Sequence, residues 1–289
     1  MSERLDGADL ARDIHHRPGV GISAHVLQGS ELQMLRMRVD QPALIFVDKG
    51  IKTITPAHGA PVRASPGAAI LVDGNQTVDF INSVANGMHY EARWLLFDAA
   101  LSSDTYYADR AGCLVRERRS SGALRLIDHV RQGLSDAFAR ARLALVPDER
   151  LPHAVARQRV LEVMHWLLED GVVVRSFPLK SSTSLQVRSL IAGRLDAEWT
   201  ADRICDELAL SEATLRRRLA AEGASLKALL VDARMSTALM LLQATAKPVA
   251  DIALEVGYES PSRFAIRFRE RFGFAPTGVR GHDRADRRA

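Results

Sequence analysis

Cysteine is nearly absent: Cys113 and Cys205 are the two in 289 residues, with no CxxC spacing. Neither a disulfide framework nor a zinc finger can be built from them, and both are expected to be buried thiols. Long apolar runs are missing too. Every uncharged stretch falls well short of the roughly 20 apolar residues that a membrane helix needs, so no membrane partner is expected. The opening Met1-Ser2-Glu3-Arg4-Leu5-Asp6 alternates charges where a secretory signal carries an apolar segment, which points to the cytoplasm. No nucleophile motif or phosphate loop appears, and no cofactor is implied.

Lysine is the other scarcity. Five lysines stand among 39 basic residues, so arginine supplies nearly all of the positive charge. A GC-rich genome produces the same bias, so the count alone proves nothing about partners. The charge is also uneven: residues 1–110 are net acidic, and residues 111–289 are net basic. A polyanion is therefore permitted at the rear of the chain.

From Leu32 to Asp98 short apolar runs are broken by turn residues, the pattern of an antiparallel sheet. Leu35, Met37 and Val39 alternate with charges. Ala43 to Asp48, Ile51 to Thr55, Ala68 to Val72, Gln76 to Asn82 and Tyr90 to Phe97 follow, separated by Lys49-Gly50, Ser65-Pro66-Gly67 and Asp73-Gly74-Asn75. Such spacing predicts a small barrel or jelly roll able to enclose a ligand. Beyond Asp98 the period turns helical. Leu124, Ile127, Val130, Leu134 and Phe138, then Val160, Val163, Met164, Leu167 and Leu168, predict helices over 121–145 and 153–170. These apolar stripes are expected to need cover beyond the barrel, hence a homodimer face. Lys180 to Ser184 forms a polar break, with Ser184 as the expected N-cap of the next helix.

Two segments of the last hundred residues share one plan: short helix, tight turn, second helix. Arg203 to Leu208 leads through Ala209-Leu210 to Ser211, a hydroxyl suited to capping a helix with Leu215 and Leu219 inward. Its outer face carries Ala213, Thr214, Arg216, Arg217 and Arg218. Val249 to Val256 reaches Gly257, and Ser260-Pro261 opens a helix with Phe264, Phe268 and Phe272 inward, Arg263, Arg267 and Arg269 outward. Leu226 to Gln243 predicts a long helix fixing the separation of the units. One helical hairpin is weak evidence and solvated arginines are common, but that explanation leaves the repeated plan unaccounted for. Helices of this kind enter the major groove, where the arginine fork meets guanine O6 and N7.

Four segments then resemble one family: Ser211-Glu-Ala-Thr-Leu-Arg-Arg-Arg-Leu; Gly223-Ala-Ser-Leu-Lys-Ala-Leu-Leu-Val-Asp-Ala-Arg-Met with Ala238 and Leu241-Leu242; Ile252-Ala-Leu-Glu-Val-Gly-Tyr-Glu-Ser-Pro-Ser-Arg-Phe; and Arg267-Phe-Arg-Glu-Arg-Phe-Gly-Phe-Ala-Pro276. Over roughly Trp199 to Arg280 the chain resembles the AraC/XylS transcription regulators. Its Trp199 to Leu208 opening, with Ile204-Cys205, is similar to the ToxT/Rns-like branch. Cys205 stands where the family usually has alanine, a packing position.

The resemblance implies an α+β protein with an amino-terminal cupin-like β-barrel or jelly roll over 1–105 and a helical linker and dimerisation region over 106–182. An all-α DNA-binding domain with two helix-turn-helix motifs would fill 183–289. It implies base contacts at Ala213, Arg216 and Arg217 in the first unit and at Pro261, Ser262, Arg263 and Ile266 in the second. Ile266 stands where the family often has a basic residue, and Val279 where an aromatic commonly precedes Arg280. Thr214, Arg218 and Arg267 complete the candidate DNA face. Double-stranded DNA, RNA polymerase and a second copy of the chain are the implied partners, and activation is the implied sign.

In the front domain Arg36, Arg38, Lys49, Lys52 and Arg93 are candidates to meet an acidic effector such as a fatty acid; solvated strand faces are the plain alternative. A ligand-independent regulator whose front domain binds a partner protein is a second reading. The third is a metal-dependent cupin enzyme using His58, His89 and Glu91, although the chain has no His-x-His pair.

Overall fold

The computed structural model describes residues 13–84, 89–117, 122–148, 150–175 and 182–280. Met1 to Asp6, Lys180 and Ser181 lie outside them. Ten strands and nine α-helices are assigned among the described residues. The strands are β1 (Asp13–Arg17), β2 (Gly21–Gln28), β3 (Leu32–Val39), β4 (Ala43–Lys49), β5 (Ile51–Pro56), β6 (Val62–Ala64), β7 (Ala69–Val72), β8 (Gln76–Ser83), β9 (Tyr90–Phe97) and β10 (Leu124–Ile127). All pairings are antiparallel, in a six-stranded sheet ordered β1-β2-β9-β4-β7-β10 and a four-stranded sheet ordered β3-β8-β5-β6. The barrel expectation is corrected accordingly: among the described residues no ladder joins the two sheets, so the front domain is a sandwich of jelly-roll type.

Ala43 to Val47 is buried throughout because β4 has a neighbour on each face. Leu44 and Phe46 point to the helices, and Ile45 and Val47 to the second sheet. The helices are α1 (Thr105–Glu117), α2 (Gln132–Leu145) and α3 (His153–Glu169). They pack Leu134, Phe138, Val160 and Met164 against Leu44, Phe46, Leu95 and Phe97, with the Phe46 and Phe138 rings stacked at 4.1 Å. The apolar stripes read as needing a dimer are thus covered within the chain by the outer face of the larger sheet.

Four further sequence expectations are corrected. The helix over 121–145 is in fact β10 followed by α2, because pairing with β7 holds Leu124 to Ile127 extended. The alternation of Leu35, Met37 and Val39 is broken by a bulge between Met34 and Met37, where Arg36 takes φ 50°; Leu32, Met34 and Met37 face inward and Leu35 is exposed. Cys113, on α1, is exposed. Ser182, not Ser184, caps the helix at the boundary, accepting from Leu185 N.

That helix is α4 (Thr183–Ile191), followed by α5 (Ala201–Leu208), α6 (Glu212–Ala221), α7 (Leu226–Ala244), α8 (Val249–Glu255) and α9 (Pro261–Phe272). Two cores serve them. Val187, Ile191, Trp199, Ile204, Cys205, Leu215, Leu219 and Leu229 enclose the first unit. The second joins Met235, Leu239, Ile252, Val256, Phe264, Phe268 and Phe272 to Leu32, Met34 and Met37 of β3. The second unit therefore shares its core with the sandwich. No helix among the described residues is long and apolar enough to cross a membrane.

Candidate nucleic-acid interface

Each helix-turn-helix is built by local chemistry. Thr200 caps α5, accepting from Arg203 N, and α5 ends at Ala209 in the left-handed region, φ 51°. The chain turns and Ser211 caps α6, accepting from Thr214 N, while its hydroxyl also meets Thr214 Oγ1 at 2.9 Å. In the second unit α8 is followed by Gly257 at φ +82°, and Ser260 caps α9, with Pro261 in the first turn. A Cβ at Gly257 would stand 2.4 Å from the carbonyl oxygen of Leu195, so this turn demands glycine for its conformation and for its closeness to the first unit.

The same face pattern emerges on both second helices. Leu215 and Leu219 are buried in α6, leaving Ala213, Arg216, Arg217 and Arg218 exposed and Thr214 half-buried. Phe264, Phe268 and Phe272 are buried in α9, leaving Pro261, Ser262, Arg263, Ile266, Arg267 and Arg269 exposed. Ile266 is 60% exposed, an unusual place for a large aliphatic side chain, and lines a shallow depression with Tyr258, Arg263, Arg267 and Glu270. Arg267 bonds Glu270 at 2.8 Å, whereas no ion pair engages Arg216, Arg217, Arg218 or Arg263 among the described residues. Arginines held out without a partner are available to polyanions.

Sequence reasoning missed the residues that tie the two units together. Arg234 of α7 donates from Nε to Leu195 O and from Nη2 to Ala197 O, with its guanidinium 5.9 Å from the Tyr258 ring. One side chain thus touches the approach to α5 and the turn after α8. Arg271 of α9 bonds Asp232 of α7 and the carbonyls of Leu35 and Arg36 in β3. Arg188 of α4 shares Asp232 and reaches Asp40. Glu222, just after α6, accepts from the amides of Thr183 and Ser184 and from Ser182 Oγ; burial alone would raise its pKa, but these hydrogen bonds hold it below the ordinary carboxylate value. The contacts are long-range, so no local pattern announces them.

The front-domain candidates do not converge. Arg93 makes a two-pronged pair with Asp48 on the helix-facing side of the larger sheet. Lys49 bonds Glu91 at 2.9 Å on that side. Arg38 meets Asp40 and Thr77, and the Arg36 amide donates to Asp79. Lys52 alone is interior, 3% exposed. Its Nζ donates to Asn82 Oδ1 at 2.8 Å and sits 4.1 Å from the centre of the Phe80 ring. Burial lowers its pKa from 10.5 to about 7.

Of the enzyme candidates, His89 and Glu91 meet at 3.2 Å, with His25 on the other carboxylate oxygen at 3.0 Å, while His58 lies exposed in the turn after β5. Burial works to raise the Glu91 pKa, but hydrogen bonds from Lys49, His25 and His89 outweigh it and bring it to about 2. Among the described residues no group of three His, Cys, Asp or Glu side chains is arranged to hold a metal ion.

Comparison with known proteins adds a family match, three relatives and a solved structure. A helix-turn-helix domain family matches residues 204–282. Transcriptional regulator SirC of Salmonella typhimurium (strain SL1344) is 33% identical over 98 residues, covering 34% of this chain and 33% of SirC. The virulence regulon transcriptional activator VirF of Shigella flexneri is 30% identical over 110 residues, 37% of this chain and 42% of VirF. HTH-type regulator YdeO of Escherichia coli O6:H1 is 36% identical over 122 residues, 42% of this chain and 45% of YdeO. The matched region therefore spans a third to less than half of these curated relatives. A crystal structure of ToxT from Vibrio cholerae covers 89% of this chain and 97% of ToxT at 14% identity, with a TM-score of 0.59. The likeness extends over both domains and is one of fold.

Proposed function

The carboxyl-terminal domain of this chain belongs to the AraC/XylS family of helix-turn-helix regulators, and from that premise we propose that the protein is a sequence-specific transcription regulator reading two successive major grooves of double-stranded DNA. The observation carrying this reading is a pair of capped helices, α6 and α9, each with its apolar side in a core and its polar side open. In this reading Arg216, Arg217 and Arg263 address base edges together with Ala213, Pro261, Ser262 and Ile266. Thr214, Arg218 and Arg267 hold phosphates, which position the protein without carrying sequence information. Ile266 suits a thymine methyl.

The test is selection of duplexes from a random pool by the full chain, followed by footprinting. We expect two protected major-groove segments about 34 Å apart. Equal affinity for selected and unrelated duplexes overturns the reading.

We further propose activation through RNA polymerase, in the cytoplasm and without an enzymatic role; the naming of VirF as a transcriptional activator supports the sign of control. For the front domain an acidic small-molecule effector is the favoured reading, since a ToxT structure holds an unsaturated fatty acid. Of the five candidate cations Lys52 is the one facing the sandwich interior; the other four lie outside it. Mass spectrometry of protein exposed to lipid extract should find a bound carboxylate, and none found removes it. A homodimer would use exposed apolar residues such as Leu143 and Val155; a monomer in micromolar sedimentation removes that element.

A further inference from the structure

Lys52 begins a chain of hydrogen bonds that crosses from the sandwich to the DNA-binding domain. Its Nζ donates to Asn82 Oδ1 at 2.8 Å, Asn82 Nδ2 donates to Gln28 Oε1 at 2.9 Å, and Gln243 Nε2 of α7 donates to the same Gln28 oxygen at 3.1 Å. All four side chains belong to residues no more than 3% exposed. Next to Gln243, Ala244 lies in the same buried cluster as Ile54, Val78 and Tyr90 of the sandwich. The last turn of α7 therefore covers the interior in which the amine sits, and α7 is the helix joining the two helix-turn-helix units.

We propose that this relay is a proton-operated latch: α7 seats on the sandwich while Lys52 is neutral, and uptake of a proton by Lys52 favours release of that seat. The surroundings leave an ammonium poorly compensated. From β8 it meets Asn82 and the Phe80 ring; from β9 the Tyr90 ring at 5.8 Å, whose phenol is itself pushed up by burial; β6 sets Ala64 opposite it, β2 adds Gln28 and α7 adds Gln243 through the relay. Glu91 and its partners Lys49, His25 and His89 are one residue further along β9, on the opposite face. Burial is the cause of the lowered pKa, with no carboxylate contributing.

Two effects of a proton oppose each other. A charged amine makes its bond to Asn82 charge-assisted, roughly twice as strong as a neutral one. Against this, a fall from 10.5 to about 7 disfavours the buried ammonium by on the order of a thousandfold, and burial wins. The sign follows from linkage. The open state, with the amine hydrated, binds more protons than the closed one between pH about 7 and 10.5, so closure strengthens as pH rises through that window and is level below it.

Five lysines in the chain make the measurement direct. Lysine labelled with 13C at Cε, in the full-length protein, should show one resonance titrating near pH 7, absent from Lys52→Met. Amide exchange along β3 and the end of α7, corrected for intrinsic rate, should report opening that rises roughly tenfold or more from pH 9 to pH 7 in the parent. It should stay level in Lys52→Met, a substitution that removes the charge and shortens the unbranched side chain by one heavy atom. Gln243→Leu supplies a second arm: the Lys52 resonance still titrates and opening keeps its pH dependence, because that dependence comes from burial of the amine, while exchange at the end of α7 is faster at every pH. A Lys52 resonance static from pH 6 to 9, or parent-like pH dependence in Lys52→Met, overturns the latch. The inference rests on the regulator reading for its consequence alone, a pH-dependent affinity for a selected duplex; the exchange experiment contains no DNA and separates the two failures.

Discussion

Gln243 Nε2 and Gln28 Oε1 lie 3.1 Å apart and are buried, although 215 positions separate the residues in the chain. The same oxygen accepts from Asn82, so its bonding capacity is filled half by the sandwich and half by α7. A buried amide placed in this way specifies one docking geometry, because any shift of α7 leaves an acceptor and a donor unmatched in a place water does not reach.

Arg217 is the sharpest probe of DNA reading. Arg217→Ala should cost about 1–3 kcal/mol of binding to a selected duplex and far less on unrelated DNA. Titration of both duplexes at one fixed salt concentration checks this. Equal losses on the two would move Arg217 to the phosphate backbone.

The turns of the two units invite opposite substitutions. Ala209 occupies the left-handed region at φ 51°, so Ala209→Gly should stabilise by about 1 kcal/mol. Gly257→Ala should destabilise by roughly 2–3 kcal/mol, since the new methyl meets Leu195 O and the Arg234 guanidinium. Urea midpoints at constant slope measure both.

Acid should expose the work of Glu91. Its pKa in the fold is about 2 against an ordinary 4.5, so its contribution is complete above pH 4.5 and disappears as pH falls toward 2. Glu91→Gln should cost on the order of 1–3 kcal/mol at neutral pH, the range allowing for screening by solvent around Lys49 and His89. The gap between variant and parent should close below pH 3, followed by denaturation across pH; a gap unchanged by acid would contradict the assignment.

Arg271 should matter for domain docking more than for DNA contact. Although on α9, it is turned to Asp232 and to the carbonyls of Leu35 and Arg36. Arg271→Ala should cost about 2 kcal/mol of stability and increase amide exchange in β3. Affinity for unrelated DNA should hold steady, whereas Arg218→Ala should lower it.

The rear domain was legible because its signals are local. Ser211 and Ser260 cap helices, Gly257 turns the chain, and the three phenylalanines mark an inward face within a dozen residues. The front was harder to read. Leu124 to Ile127 fits a helical spacing and becomes a strand through β7, a partner some fifty residues earlier. In α1 the inward set Tyr107, Ala111 and Leu114 is too small a stripe to stand out, and β2 places Ala24 and Gln28 at interior positions where larger apolar residues would have announced a strand. Four of the five front cations proved to be on strand faces other than the interior, because alternation assigns a face from pairing and the bulge in β3 shifts that assignment. Arg234, Arg271 and Gln243 act across the tertiary structure, beyond the reach of any window along the chain.

Phe264, Phe268 and Phe272 share their lining with Leu32, Met34 and Met37. Severed before Thr183, the rear fragment would wear a bare oily stripe beside its second reading head, and such a stripe attracts copies of itself. Linkage of the halves is thus a matter of solubility as much as of signalling: whatever prises them apart must either keep the excursion brief or offer those aromatics other company.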